Sequence, residues 1–539
     1  MSISKTAAAA AATLAAVLAM SACSSSSTPS GTPASSVTAA NLVTDGTFSF
    51  SVADDPGNLN PAIGSRTVAV NLFRFLYDPL VRRNAEGKLV SGLASSWDVN
   101  DNVITFKIKP NITCSDGSPV TASTVAANFN YIKDPANSST LIGIALPNNK
   151  FTATADDATS TFTLTLDKPY QFILPALEFL PIPCGDAGKN PASLASTASG
   201  SGPYTLTEAV PNDHYTLTRR QGYTWGPDGA TTAEKGLPAK IVMRIVSSET
   251  TAANLLSTGE LNAAAINGPD RKRLTAAGLT ATQYASGGAL MLFNEQDGRT
   301  TADAKVRQAI VKAIDRNQIA QVLTQGLSET AAHSLAPASP QPCTDPGAAD
   351  AIPKTDVQGA KSLLAEAGWT AGTDGVLQKG GKPLTLNAPY LSTYEGNKPA
   401  TELMSQQLAK VGIKMNLTPV TQGTLSTTVF STGDYDIWPT LAYSIPFQSG
   451  VYGLLGGPPP PDGTNAGHVN NQTFTNLAKQ GNQTTGAAGC QLWVKAESAL
   501  FSNADAESTA PVITNWITSK ASFSAMQGRI IPTSIRLSK

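Results

Sequence analysis

The sequence predicts an α/β protein built as more than one lobe, and three observations carry that expectation. The chain has 539 residues, more than one ordinary core accommodates. Its hydrophobic content is 41%, enough for sizeable cores and too much for a disordered chain. Short alternating segments recur between helical stripes, and one run reads strand, helix, strand, which requires a parallel neighbour.

The elements follow in order. Lys5 precedes a small and apolar run over residues 7–20, the length of a signal-peptide core and too short to span a membrane. Met20-Ser21-Ala22-Cys23 follows. It resembles the bacterial lipobox, with Met where Leu is more usual, and implies that Cys23 is lipidated and begins the mature chain. The plainer reading is a secretory signal that happens to contain a cysteine. Residues 24–38 are rich in Ser, Thr and Pro and cannot bury enough apolar surface to fold. We therefore expect a signal over 1–22 and a tether over 23–44.

Ile104, Phe106 and Ile108 alternate with polar residues, as do Phe162, Leu164 and Leu166, which predicts two half-buried antiparallel strands. Between them Thr121 is a helix N-cap candidate, with Val125, Phe129 and Ile132 on one face. Residues 240–246, 248–258 and 261–266 form the strand, helix, strand unit. Val306, Ile310 and Ile314 recur every four residues in a helix over 303–314. Further helices are expected over 356–367, ended by Gly368, and 401–411, ended by Gly412. A strand at 413–417 comes next.

Lys and Arg number 38 against 39 Asp and Glu, a net charge of −1, which gives no support for nucleic-acid binding. No later apolar run approaches a membrane span. His214, His333 and His468 are scattered and share no spacing with cysteines, so no metal site is expected. No Gly-x-Ser-x-Gly elbow appears, so neither catalytic residues nor a cofactor is expected. Cys114, Cys184, Cys343 and Cys490 remain in an exported chain and suggest two disulfides with three possible connectivities. Two fall in each half, and pairing within halves is the expectation.

Several blocks carry a resemblance. They are Asp54-Asp55-Pro56-Gly57-Asn58-Leu59-Asn60-Pro61; Leu76-Tyr77-Asp78-Pro79-Leu80-Val81 with Gly92-Leu93-Ala94-Ser95-Ser96-Trp97; and the stretch from Phe106 through Asp116-Gly117 to Thr121-Ala122. Gly200-Ser201-Gly202-Pro203-Tyr204, Val306-Arg307-Gln308-Ala309-Ile310, Ala365-Glu366-Ala367-Gly368-Trp369 and Gly433-Asp434-Tyr435-Asp436 continue the series. In this order and spacing the chain resembles the extracytoplasmic solute-binding proteins of family 5, the peptide, nickel and oligosaccharide receptors of ABC importers. Physically, Asp116-Gly117 reads as a turn and Trp97 as a core anchor.

The resemblance implies a two-lobed, periplasmic-binding-protein-like (type II) fold with an extra subdomain on lobe one. Lobe one would take 45–265, with 76–200 as the subdomain, and 501–539 on the chain's return. Lobe two would take 266–500. The hinge crossings would lie near 265–288 and near Leu500. A monomer anchored to the outer face of the bacterial cell membrane would capture a peptide or peptide-like solute and deliver it to an ABC permease. A neutral solute such as an oligosaccharide, or an envelope regulator that imports nothing, are the alternatives. The resemblance places Asn58, Asn60, Asn294, Glu295, Trp438, Tyr443, Ser444 and Phe447 at the ligand. Peptide-binding members carry an aspartate shortly past the position of Asp436, whereas residues 442–448 here contain no acid. A stripped ammonium needs a charge partner, so the expected solute is neutral or has a blocked amine, with Glu295 the only acid among these residues.

Overall fold

Two long antiparallel strands, Thr280–Phe293 and Ala506–Thr518, run side by side through an eight-stranded mixed sheet. The computed structural model describes residues 41–64, 66–184, 191–343, 346–372, 374–445 and 447–539. The signal segment, Cys23 and nearly all of the tether lie outside the described residues. The sheet order is Tyr204–Val210, His214–Arg219, Lys240–Ile245, Thr47–Val52, Ala263–Ala265, Ala506–Thr518, Thr280–Phe293, Ile437–Tyr443. The β-α-β unit finds its parallel neighbour in Thr47–Val52, which lies between Lys240–Ile245 and Ala263–Ala265 and is parallel to both. Helix Glu249–Thr258 makes the crossover, capped by the Ser248 side chain accepting from Thr251 N–H.

Beneath the first half of this sheet Phe48, Phe50, Leu72, Phe75, Tyr204 and Trp516 form one core. Phe50 stacks on Phe75 at 5.9 Å and so fixes helix Thr67–Leu76 against the sheet. The region expected as a subdomain carries its own four-stranded antiparallel sheet, in the order Ala94–Asn100, Val103–Ile108, Thr161–Leu166, Phe151–Asp156. Helix Ala122–Lys133 covers it. Thr121 and Thr124 close a reciprocal capping box, and Val125, Phe129 and Ile132 are buried. Asp116 accepts from Ser118 N–H at 2.9 Å, the side-chain-supported turn expected there. Trp97 is a correction: it sits on the edge strand of this sheet, half-buried against the core rather than anchoring it.

The second half of the chain packs Val306, Ile310 and Ile314 with Leu386, Met404 and Met415. Helix Asn397–Ala409 begins earlier than its apolar spacing suggested, because Pro399 in a first turn loses no hydrogen bond. Strand Lys414–Val420 pairs in parallel with Thr385–Leu391. Leu500 lies buried inside helix Gly486–Ser502. The chain re-enters the large sheet after this helix as the strand Ala506–Thr518. Where strand Thr280–Phe293 pairs with strand Ile437–Tyr443, Gly287 and Gly288 face Tyr443 so closely that a Cβ on either would collide with it. This close approach explains a glycine pair that has no phosphate-loop context.

Cys114 is joined to Cys184 and Cys343 to Cys490, with Cα separations of 5.7 and 5.2 Å; this is the within-half pairing expected. Segment 170–172 of the first half reaches the second. Gln171 N–H donates to the Asn482 carbonyl at 2.7 Å. Tyr170 and Ser449 hydroxyls lie 2.8 Å apart. Phe172 stacks on Phe447 at 5.7 Å and meets Trp493 at 6.0 Å.

Candidate functional site

A cavity of about 340 Å³ opens between helix Thr67–Leu76, residues 140–144, residues 178–181 and residues 443–445. Helical spacing puts Thr67, Val70, Arg74 and the following Tyr77 on the wall, while Leu72 and Phe75 pack into the sheet core. Phe73, Leu141, Ile144, Phe179 and Tyr443 make most of the remaining surface apolar.

Three guanidiniums, those of Arg74, Arg82 and Arg529, line this wall together with one carboxylate, Glu178. Glu178 follows the short helix Ile173–Leu177 and is gripped by Arg74 at 3.3 Å and Arg83 at 3.5 Å. Arg82 donates to Tyr77 O at 2.6 Å and to Asp78 at 3.1 Å. Asp78 also accepts from Ser201, Tyr223 and Trp225 at 3.1–3.2 Å. Arg529 donates to Ser444 O at 3.0 Å and lies 5.0 Å over the Phe179 ring. Burial pulls the Arg74 and Arg529 pKa values down to about 10, and for Arg74 the charges of Arg82 and Arg529 add to it. Both stay charged at neutral pH.

The structure brings Tyr443 and Ser444 to this wall and disperses the other residues singled out from sequence. Tyr443 donates to Leu335 O at 2.9 Å. The Asn58 side chain accepts from Asn60 N–H, and Asn60 Oδ1 from Ala62 N–H, so both shape their loop, which presents Pro61 to the cavity. Asn294 is fully buried and donates to the Gly433 and Tyr435 carbonyls at 3.0 Å each; it pins backbone. Glu295 lies 3.4 Å from Arg307 beside Asp505. Burial, and then the Asp505 charge, push its pKa up toward the protonated form, against the pull of Arg307. Trp438 is buried, with an indole N–H that has no partner among the described residues. Phe447 is fully enclosed between Phe172 and Phe179.

Sequence reasoning missed the arginines. Their signal was present: Arg74, Arg82 and Arg83 interrupt an apolar run in a chain with only 14% charged residues.

Behind Tyr443, Leu335 N–H donates to buried Glu497 at 2.8 Å. Burial pushes the Glu497 carboxyl up to about 7 and that of Glu507 up to about 8. A carboxyl whose folded pKa exceeds its unfolded value holds its proton more tightly in the folded chain. It contributes stability below the unfolded pKa and loses it as pH rises through the folded one. Melting temperature should therefore fall between pH 5 and 8. Glu497→Gln should remove a share of that slope worth about 3 kcal/mol. A melting profile unchanged by the substitution would show that Glu497 is charged throughout.

Among the described residues no helix is long and apolar enough to cross a membrane, and no group of three or more His, Cys, Asp or Glu could hold a metal ion.

The family model described as bacterial extracellular solute-binding proteins, family 5 middle, matches residues 88–456. The chain is 25% identical over 364 residues to the nickel-binding periplasmic protein of Escherichia coli, covering 64% of this chain and 65% of that one, just under two thirds of the relative's length. It is 26% identical over 394 residues to the periplasmic murein peptide-binding protein MppA of the same organism, covering 68% and 69%. Among solved structures, NikA from Brucella suis in complex with Fe(III)-EDTA superposes with a TM-score of 0.77 at 22% identity, over 92% of this chain and all of that one. The match supports the two-lobed α/β fold.

Proposed function

Since this chain belongs to the bacterial extracellular solute-binding proteins of family 5, we propose that it is the substrate-binding receptor of an ABC importer, taking a peptide or peptide-like solute. The observation that carries the reading is the cavity walled by separate parts of the chain, with Pro61, Arg74 and Phe179 facing Tyr443 and Ser444. Only the long strands Thr280–Phe293 and Ala506–Thr518 need flex for these walls to part. Both strands have register shifts near the middle, at Ala285/Gly287 and Ala289/Leu290, where a ladder bends most readily. Lobe one would comprise 45–265 and the C-terminal return, and lobe two the part between. The contacts of Gln171 and Phe172 with Asn482 and Phe447 would then hold the closed form. No chemical step is required of any residue.

The receptor would be a monomer held at the outer face of the cell membrane by a lipid on Cys23, within reach of its permease. Cys23→Ala should release the chain to the soluble fraction, since the diacylglycerol on its sulfur would be the anchor; a variant still bound to membranes would refute the anchor. The receptor reading is tested by native mass spectrometry of the chain purified from its host and by solute uptake in a strain lacking it. A co-purified small solute whose uptake drops in that strain supports the reading, and unchanged uptake of it overturns import.

A further inference from the structure

The arginines at the cavity do more than fill it. Arg74, Arg82, Arg83 and Arg529 are each at least nine-tenths buried, and so are the two carboxylates beside them, Asp78 and Glu178. Asp78 is saturated by its donors, and Glu178 is shared by Arg74 and Arg83. Arg529 contacts no carboxylate among the described residues, although the charge of Glu178 reaches it; its direct partners are a peptide carbonyl and a ring. Among the described residues the buried Nε atoms of Arg74, Arg82 and Arg529 find no acceptor. Among the described residues four cations thus face two anions, and the chain's own net charge of −1 offers no reason for a local positive excess. Unpaired buried charge is strongly unfavourable unless a partner arrives. Guanidiniums present flat, paired donors suited to oxyanions.

We propose that the solute is a small organic anion whose carboxylate or phosphoryl group docks against Arg74, Arg82 and Arg529, with its apolar body against Phe73, Phe179 and Tyr443. This rests on the receptor reading and narrows it. The cavity, about 340 Å³, lies at the small end of ligand pockets and suits a single compact molecule. The expectation of a neutral solute came from the missing acid at 442–448. That absence still disfavours a free amine, but the wall it left unread is cationic.

The test uses the full mature chain, freed of ligand. The panel contains N-acetylphenylalanine, its amide, phenylalanine amide, phenyl phosphate and inorganic phosphate, read by calorimetry and melting temperature. The two organic acids should bind and raise the melting temperature, while the neutral amide and the amine should not. Preference between the carboxylate and the phosphate ester identifies the anionic group. Binding of inorganic phosphate alone would overturn the organic body. Arg529→Met should weaken acid binding roughly 10- to 100-fold, and Arg529→Lys should restore part of it. The ligand-free Arg529→Met chain should melt close to the parent, since the buried guanidinium it loses touches no carboxylate and feels only the charge of Glu178 from a distance. A lower melting temperature with acid binding intact would make Arg529 purely structural and overturn the proposal. Binding of the amide or amine in preference to the acids would overturn this proposal and leave the receptor reading standing. A panel in which nothing binds, together with no co-purified solute, would overturn both.

Discussion

Arg307→Met should destabilise the protein by about 3–5 kcal/mol, the cost of leaving one member of a buried ion pair without its partner. Arg307 is 2% exposed and Asp505 is fully buried. The guanidinium contacts Asp505 at 2.9 Å and donates to the carbonyls of Ala504 at 3.0 Å and Thr301 at 2.9 Å. Methionine fills much of the volume but answers neither the Asp505 charge nor those carbonyls. Asp505 would keep hydrogen bonds from Asn471 and Asn503, which offset part of the loss and no net charge. Urea unfolding followed by tryptophan fluorescence measures it, and a loss below about 1 kcal/mol would mean that water reaches the pair. Glu295→Gln provides the contrast. Because burial and the Asp505 charge favour the protonated form of Glu295, the amide should cost little at neutral pH. A loss as large as that of Arg307→Met would show that Glu295 is ionised in the folded chain.

The second large effect belongs to the Cys343–Cys490 bridge. It closes a sequence separation of 147 residues, for which chain entropy predicts about 5 kcal/mol; the Cys114–Cys184 bridge, with a separation of 70, should contribute about 4 kcal/mol. The longer bridge has a local consequence as well. Between helix Arg316–Leu323 and helix Val357–Glu366 the described chain holds only the short turn Pro346–Ala351, so this stretch has little ladder or helix of its own. Its anchors include Cys343, Ser334 and Leu335, the last two through Glu497. Leu335 in turn receives the Tyr443 hydroxyl at the cavity wall. The Cys343→Ser/Cys490→Ser variant should therefore lose about 5 kcal/mol and also weaken solute binding. The Cys114→Ser/Cys184→Ser variant should lose stability with less effect at Tyr443. Equal melting temperatures of parent and double variant under non-reducing conditions would show that the longer bridge does not constrain the unfolded chain.

What the sequence determined by itself was local and periodic. The Val306, Ile310, Ile314 stripe, the Thr121 cap and the alternation around Phe106 and Phe162 each express a short-range constraint that any correct fold must satisfy. The ordered blocks from Asp54 to Asp436 sufficed to name the family. Trp97 was misread because an aromatic looks the same in sequence whether it faces an edge or a core; only its neighbours decide, as they do for Phe447, which stacks on Phe172. The environment of Glu295 was hidden for a related reason: burial first, and then the charge of Asp505 far along the chain, favour its protonated form. The cavity belongs wholly to the tertiary structure. Arg74 comes from a helix near the start of the fold, Glu178 from the end of the short helix Ile173–Leu177, Ser444 from the stretch after strand Ile437–Tyr443, and Arg529 from the closing segment. Coulomb energy depends on distance in space and on exclusion of water. Neither is written in sequence separation, so a chain nearly neutral in composition conceals a buried excess of positive charge that only folding brings together.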